Sequence, residues 1–190
     1  MGMEYERKFA ANPTQLDAVR KELGGAWFEY RMRTTYYDTA DGALSGRKWM
    51  LRHRLENDAH VCTLKTPMGQ ARGEWETVSE KIDEALNELC KLGAPSELLA
   101  LTAEGVMPVC GAEFTRLAAE VEADGSVLEV ALDLGRLFAG ERETPLCEIE
   151  VELKAGETAA ADRFAGALAA RFGLNELTDS KFKRARALIG

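Results

Sequence analysis

Apolar and charged residues alternate with a period of two along much of the chain, as in strands with one buried and one polar face. In the first such segment, Glu4, Glu6 and Lys8 share one parity, while Met3 and Phe9 share the other. The same alternation predicts further strands over 33–38, 48–55, 59–65, 73–79, 113–122, 127–134, 135–142 and 146–153. Turn-like residues separate neighbouring segments, so we expect a mainly antiparallel sheet, open or closed.

Helical signals interrupt the strands. Asn12 and Pro13 fit the cap and the first turn of a helix over 14–23, and Ser79 is expected to cap another over 80–92. Further helical segments are predicted after Pro95, over 158–172 and around 181–186. Because 190 residues suit one core better than two, the pattern predicts an α+β fold in a single domain over 1–190.

Composition excludes several classes of function. The chain has 24 Lys and Arg against 32 Asp and Glu, which argues against a general nucleic-acid or anionic-membrane binder. Its four cysteines lack a C-x-x-C spacing, and neither a signal-like N-terminus nor a run of about 20 apolar residues occurs. We therefore expect a cytoplasmic protein that does not insert into a membrane. With only two histidines, a histidine-rich metal site is also excluded.

The charges on the predicted strands are segregated by sign. Carboxylates are concentrated towards both ends of the chain, where Glu148, Glu150 and Glu152 alternate with apolar residues. Basic residues occupy the middle strands, where Arg52 and Arg54 share one parity. A wet face of an antiparallel sheet explains any one strand, but it does not explain this separation across several strands. The pattern indicates a site with an acidic wall and a basic wall.

Two such walls suit a metal ion and a polyanion. Adjacent inward carboxylates repel one another unless a cation neutralises them, and hard ions such as Mg²⁺ or Mn²⁺ prefer carboxylate oxygens. Arginine forks and lysine ammonium groups bind phosphate oxygens. The net negative charge does not oppose this interpretation, because cations that converge inside a barrel act in a low dielectric.

The ordered motifs of the chain resemble those of the CYTH superfamily, or triphosphate tunnel metalloenzymes. The E-x-E-x-K strand of that family is present as Glu4-Tyr5-Glu6-Arg7-Lys8. The other family elements recur in the same order as Tyr36-Tyr37-Asp38-Thr39, Leu51-Arg52-His53-Arg54, Thr63-Leu64-Lys65, Arg72-Gly73-Glu74-Trp75-Glu76, Arg116, Asp133, Glu148-Ile149-Glu150-Val151-Glu152 and Ser180-Lys181. The region from 128 to 150 is most similar to the bacterial inorganic triphosphatases.

This resemblance implies an eight-stranded antiparallel closed β-barrel, a tunnel with flanking helices. It implies that Mg²⁺ or Mn²⁺ is held by carboxylates drawn from Glu4, Glu6, Glu74, Glu76, Asp133, Glu148, Glu150 and Glu152. It also implies that a triphosphate contacts Lys8, Arg52, Arg54, Lys65, Arg72, Arg116 and Lys181. Arg72 fits a structural ion pair equally well. Catalytic roles are assigned to Lys8, Arg52, Arg54 and Glu150.

The activity that the resemblance implies is metal-dependent hydrolysis of inorganic triphosphate to pyrophosphate and phosphate, with water as the nucleophile. Two activities of the same superfamily stay open. One is a class IV-type adenylate cyclase, whose N-terminal His-Phe motif this chain lacks, and the other is a thiamine triphosphatase. The non-enzymatic alternative is a polyphosphate- or nucleotide-binding module without turnover. The expected partner is a small-molecule triphosphate, and the sequence does not indicate an oligomeric state.

Overall fold

The computed structural model describes residues 5–68 and 71–189, without the side chains of residues 68, 71 and 72. The strands are β1 (Glu6–Ala10), β2 (Phe28–Asp38), β3 (Met50–Glu56), β4 (Ala59–Met68), β5 (Ala71–Val78), β6 (Met107–Ala123), β7 (Ser126–Ala139), β8 (Arg142–Ala155) and β9 (Asn175–Glu176). The helices are α1 (Pro13–Leu23), α2 (Ala43–Gly46), α3 (Ile82–Lys91), α4 (Glu97–Leu101), α5 (Thr158–Phe172) and α6 (Lys181–Arg186). None of the described helices is long and apolar enough to span a membrane.

The nine strands of the described residues form one antiparallel sheet in the order β5-β4-β3-β2-β6-β7-β8-β1-β9. The predicted α+β architecture, with an antiparallel sheet and flanking helices, is confirmed. The predicted eight-stranded closed barrel is not, because the sheet is open: among the described residues no ladder joins β5 to β9. A physical reason lies at the edge of β1, where Phe9 and Ala10 pair with Glu176 and Asn175 of β9. The short strand β9 thereby occupies an edge that closure onto β5 would need.

Strand β7 is continuous where the sequence predicts a break. The predicted strands over 127–134 and 135–142 are one strand up to Ala139, and the chain turns at Gly140 with a φ of 58°. Gly135 serves close packing instead. A Cβ added there would lie 2.1 Å from the carbonyl oxygen of Glu113 and 2.5 Å from Cα of Phe114 on β6. A glycine inside a strand can thus mark a close backbone approach and not an end.

Helices cover the outer face of the sheet towards its two edges. Helices α1 and α5 pack on β1, β7 and β8 through a core that includes Phe9, Val130 and Ala165. Helices α3 and α4 pack on β3, β4 and β5 through a second core that includes Leu64 and Leu89. Because alternate side chains of each strand face away from these cores, the charged parity of the strands faces inward.

Helix α6 lies on the inner face, against β6 and β7. Its Phe182 ring packs 5.0 Å from the ring of Tyr36, and Ala185 is fully buried in the same apolar cluster. Ser180 caps the helix by accepting a hydrogen bond from the Lys183 N–H at 3.2 Å. This packing places Lys181, the first residue of α6, among the inward-facing charges.

The predicted N-terminal cap of α1 is confirmed, and the predicted cap of α3 is wrong. Asn12 accepts from the Gln15 N–H at 3.0 Å, and the Gln15 side chain accepts from the Asn12 N–H at 2.9 Å, which completes a capping box. Ser79 does not cap α3, which begins at Ile82. The Ser79 hydroxyl instead donates to the carbonyl of Lys81 at 2.8 Å, so this turn is held by the hydroxyl and the helix begins later.

Candidate functional site

The inner face of the sheet bounds a cavity of about 1330 Å³ that gathers both predicted walls. The predicted site residues that line it are Glu6, Lys8, Arg52, Arg54, Lys65, Glu74, Glu76, Arg116, Glu150, Glu152 and Lys181. Asp133 and Glu148 lie close to Glu150 but are fully buried. Glu4 lies outside the described residues, as does the side chain of Arg72.

Three predicted metal ligands form a buried acidic cluster, Asp133, Glu148 and Glu150. Asp133 of β7 and Glu148 of β8 are register partners, and both side chains have 0% exposure. One carboxylate oxygen from each of the three residues lies within 4.8 Å of the other two. Carboxylates this close to one another stay ionised only when cations balance them.

Cations from two other elements balance the acidic cluster. Lys181 Nζ lies 2.8 Å from Asp133 Oδ2, 2.8 Å from Glu150 Oε1, and also contacts Glu148. Arg116 of β6 donates to both oxygens of Asp133, at 2.8 and 2.7 Å, and to Glu150 at 2.5 Å. Both predicted phosphate contacts, Lys181 and Arg116, are therefore already engaged with carboxylates.

Arg184 is a further member of this cluster that the sequence reasoning missed. It contacts Glu148 from α6, three residues after Lys181. The available signal was the i,i+3 spacing of the two basic residues, which places them on the same face of a helix. With Lys181, Arg116 and Arg184, three formal positive charges oppose the three carboxylates.

The members of the cluster shift one another's pKa values. Burial, followed by the neighbouring charge of Glu150, raises the pKa of Glu148, and Lys181 and Arg184 offset this rise only in part. Burial favours the neutral form of Glu150 as well, but Lys181 and Arg116 outweigh burial and hold its pKa well below the ordinary value. Burial opposes the charge on Lys181, yet the three carboxylates raise its pKa. Glu150 and Lys181 are therefore both charged at neutral pH.

The basic residues of β3 and β4 are more loosely paired. Arg52 donates to the Thr63 hydroxyl at 3.2 Å and lies 3.9 Å from Glu74. Lys65 Nζ lies 3.3 Å from Glu74, and the Thr63 hydroxyl donates to Glu76 at 3.2 Å. Glu74 and Glu76 were predicted as metal ligands, but here they contact the basic strands and stand outside the buried acidic cluster.

Arg54 lines the cavity, half-buried, and forms no salt bridge among the residues that the structure describes, although Glu56 attracts it from a longer distance. Its Nε donates to the Thr34 hydroxyl at 3.2 Å. Burial, together with the positive charges of Arg52 and Arg116, lowers its pKa to about 10. Arg54 is still charged at neutral pH, and an anion bound beside it would relieve this repulsion.

A second acidic group, the acidic row, consists of Glu6, Glu129 and Glu152. These residues are register partners across β1, β8 and β7, and all three line the cavity half-buried. Lys154 Nζ lies 3.0 Å from Glu152 and 3.8 Å from Glu129, and Lys8 Nζ lies 2.9 Å from Glu6. Glu129 was not predicted as a ligand, although its place on the polar parity of β7 was a signal for it.

Both acidic groups offer carboxylate oxygens, the ligands that Mg²⁺ and Mn²⁺ prefer, but among the described residues only the buried acidic cluster brings three of them within 4.8 Å of one another. In the buried acidic cluster, the ammonium of Lys181 already stands among the three carboxylates as their cation. In the acidic row, the cations are the side chains of Lys8 and Lys154, which reach it from the cavity surface. A metal ion could replace these side chains without displacing a buried group.

Comparison with known sequences gives a match to one family over nearly the whole chain. The sequence model of the CYTH domain matches residues 2–185. The inorganic triphosphatase of Haemophilus influenzae is 35% identical over 127 residues, which are 64% of this chain and 36% of that protein. The match therefore spans about a third of the length of this relative.

Solved structures share the fold over nearly the whole chain. A protein from Hippeastrum, described as an adenylyl cyclase candidate with a dominant triphosphatase activity, has a TM-score of 0.64 and 17% identity, covering 98% of this chain and 96% of that one. An adenylate cyclase candidate from Bacillus halodurans has a TM-score of 0.63 and 16% identity, covering 96% of each chain. At these identities the likeness shows the fold alone.

Proposed function

Because the chain belongs to the CYTH domain family, we propose that it is a divalent-metal-dependent hydrolase that cleaves inorganic triphosphate to pyrophosphate and phosphate. The observation that carries this proposal is Arg54, a charged guanidinium in the cavity that lies beside Arg52 and forms no salt bridge among the described residues. A polyanion would supply the missing negative charge. The likeness to an inorganic triphosphatase supports triphosphate as that polyanion.

The charged residues of the cavity have different expected roles, according to the ion pairs that they form. Arg52, Arg54 and Lys65 face the cavity from adjacent strands and would clamp the phosphate oxygens, each charge-assisted hydrogen bond contributing about 1.5–3 kcal/mol. They would also stabilise negative charge on the leaving pyrophosphate. Glu150, predicted to be catalytic, accepts from Lys181 through one oxygen and from Arg116 through the other, so its charge is already balanced before substrate binds.

Hydrolysis by water fits the cavity better than a covalent phosphoenzyme. Two serine hydroxyls line the cavity, and each is engaged in local structure. Ser45 donates to the carbonyl of Gly42 at 3.2 Å, and Ser180 accepts the capping hydrogen bond from Lys183. Among the residues that the structure describes, no general base is hydrogen-bonded to either hydroxyl to activate it.

The acidic row would hold the divalent ion through Glu6, Glu129 and Glu152, with Glu4 as a further predicted ligand outside the described residues. When bound, such an ion supplies Lewis-acid neutralisation of phosphate oxygens and a more acidic water. The three carboxylates would hold the ion, and Lys8, which contacts Glu6 and lines the cavity, would contact phosphate.

Cyclisation of ATP is a second candidate function, because the cavity is larger than inorganic triphosphate needs. Its volume of about 1330 Å³ exceeds the roughly 300–1,000 Å³ that is common for small-molecule sites. A nucleoside could therefore enter beside the phosphates.

A phosphate-release panel distinguishes these activities, using inorganic triphosphate, ATP, thiamine triphosphate and pyrophosphate with Mg²⁺ or Mn²⁺. We expect triphosphate to be the best substrate and chelation of the metal to abolish turnover. Cyclic AMP as the main product from ATP would favour the cyclase instead. Absence both of phosphate release from every substrate and of cyclic AMP from ATP would indicate a binding module.

Arg54→Gln tests the observation on which the proposal depends. It should lower kcat/KM for triphosphate about ten- to a hundredfold, because one charge-assisted contact is lost. Arg31→Gln is the matched control, since Arg31 is an exposed arginine of β2 that does not line the cavity. Equal kcat/KM values for the two variants would contradict the assignment of Arg54.

A further inference from the structure

The two histidines of the chain meet on the outer face of the sheet, away from the cavity. His53 lies on β3 and His60 on β4, and the register partner of His53 is Cys62, two residues after His60. Cys62 packs in the outer core, so the alternation of both strands places the two imidazoles on the same outer face. Arg52 and Arg54, on either side of His53, line the cavity instead. Neither histidine has a role in the proposed function.

The distance between the two imidazoles suits a shared metal ion. His53 Nε2 lies 3.0 Å from His60 Nδ1, and the two ring planes differ by 11°. Two imidazole nitrogens that bind one ion at about 2.0–2.1 Å are about 3.3 Å apart in tetrahedral geometry and about 2.9 Å apart in square-planar geometry. The observed separation lies between these two values, so rotation of the rings allows both nitrogens to bind one ion.

The protonation of the pair also suits metal binding. Burial, and to a smaller extent the neighbouring His60, lowers the pKa of His53, so this ring is neutral at neutral pH. The contact between the rings is a hydrogen bond, in which one facing nitrogen donates a proton and the other accepts it. A neutral donor ring can instead hold its proton on its other nitrogen, which leaves a lone pair on both facing nitrogens. Binding of an ion by the neutral pair thus requires a change of tautomer and no net loss of a proton.

Solvent has to complete the coordination of such an ion. Both histidines are half-buried, so the pair is accessible from the surface. Cys62 is on the same face, but burial raises the pKa of its thiol to about 11, and the thiol donates to the Ser79 carbonyl at 3.5 Å. Within the described part of the chain, no third imidazole, thiol or carboxylate brings a ligand atom within 4.8 Å of both facing nitrogens. A site with two protein ligands and open positions binds an ion reversibly, unlike a closed structural site.

We propose that His53 and His60 form a binding site for one divalent transition-metal ion of the class of Zn²⁺, Ni²⁺ and Cu²⁺. Imidazole nitrogens suit these ions, whereas Mg²⁺ prefers carboxylate oxygens, so this site differs in chemistry from the acidic row. It goes beyond the proposed function, because it lies on the opposite face of the sheet and uses no residue of the cavity. The alternative role of the pair is a hydrogen bond that only joins β3 to β4.

NMR of the wild-type protein labelled with ¹⁵N-histidine tests the site directly, because the untagged chain has only these two histidines. The protein is titrated with Zn²⁺ in an excess of Mg²⁺, which competes for carboxylate sites. We expect saturable changes at the two facing nitrogens, Nε2 of His53 and Nδ1 of His60, at the same Zn²⁺ concentration. Mg²⁺ alone should leave both unchanged. A change at only one histidine, or at neither, would overturn the inference.

Calorimetric titration with Zn²⁺ under the same conditions measures the contribution of each ring. His53→Gln and His60→Gln should each lower the Zn²⁺ affinity at least about tenfold, because each removes one of two protein ligands. Glu152→Gln is the matched control, since it removes a possible ligand of the acidic row and should leave this affinity unchanged.

The result does not depend on the stability of the variants, because the NMR titration uses the wild-type protein. If Glu152→Gln lowers the Zn²⁺ affinity and the two histidine variants do not, Zn²⁺ binds in the cavity and the inference is wrong. Hydrolysis of triphosphate is measured separately with Mg²⁺, so failure of the histidine site leaves the proposed function standing. Likewise, absence of hydrolysis leaves the histidine site untouched.

Discussion

Replacing Lys181 with methionine should destabilise the free protein far more than replacing Arg54 with methionine. Lys181 is 8% exposed, and its ammonium contacts all three carboxylates of the buried acidic cluster. Its removal leaves two arginines against three carboxylates, with one buried negative charge uncompensated. Among the described residues, the Arg54 side chain has only Thr34 as a hydrogen-bond partner, and it lies beside other cations.

The expected magnitudes follow from this difference in pairing. Breaking a buried ion pair by removing one partner costs about 3–5 kcal/mol, because the remaining charge stays out of water. Methionine keeps most of the volume of the lysine stem, so the loss of packing is small. For Arg54 the substitution removes repulsion with Arg52 and Arg116, and we expect no loss of unfolding free energy.

Urea unfolding followed by circular dichroism at neutral pH measures both changes. Lys21→Met, which removes an exposed lysine from α1, should change the unfolding free energy by less than about 0.5 kcal/mol. If Lys181→Met costs less than about 1 kcal/mol, the cluster does not hold a desolvated charge and the reasoning fails. A loss for Arg54→Met as large as that for Lys181→Met would show that Arg54 has a structural partner.

Three further predictions test the fold and the charges. Gly135→Ala should lower the unfolding free energy by about 1–3 kcal/mol, because the added methyl group overpacks against β6. Gly166→Ala has open space around its Cβ and should stabilise α5 by about 0.5–1 kcal/mol. Equal Tm values for the two variants would refute the close approach of Gly135 to β6. The pKa of Glu150 is held below its ordinary value of 4.5, so unfolding free energy should fall as pH drops below that value, and less steeply in Glu150→Gln. Glu152→Gln should raise the Mg²⁺ concentration for half-maximal turnover at least about tenfold if the acidic row holds the ion; an unchanged requirement would exclude it.

Strand parity could be predicted from the sequence because it is a local property. The alternation around Arg52, Arg54 and Glu150 is set by the pleat of each strand, and the structure places these side chains in the cavity as expected. The boundaries of strands were harder to predict. The sequence predicted a boundary at Gly135, but this glycine lies inside β7 and allows a close approach to β6. That approach depends on the register between two strands, which the local sequence does not show.

The pairing of the charges could not be predicted because it depends on where α6 packs. The position of α6 on the inner face is set by apolar contacts of Phe182 and Ala185 with residues far away in sequence. That packing brings Lys181 and Arg184 to the acidic residues of β7 and β8. Sequence parity predicts these carboxylates as metal ligands, but it cannot show that Lys181 and Arg184 contact them from a helix.

The cations of the cavity differ in their carboxylate contacts, so we expect their substitutions to raise KM by different amounts. Lys181 or Arg116 can bind a phosphate only by weakening contacts to Asp133 and Glu150, so much of the new interaction is offset by carboxylates left without partners. Arg54 gives up only a hydroxyl contact and also loses the repulsion that lowers its pKa. We therefore expect Arg54→Gln to raise KM for triphosphate more than Lys181→Gln does, and the Lys181 substitution to act mainly through stability. A larger rise in KM for Lys181→Gln, at a temperature where both variants are fully folded, would show that α6 leaves the carboxylates when substrate binds.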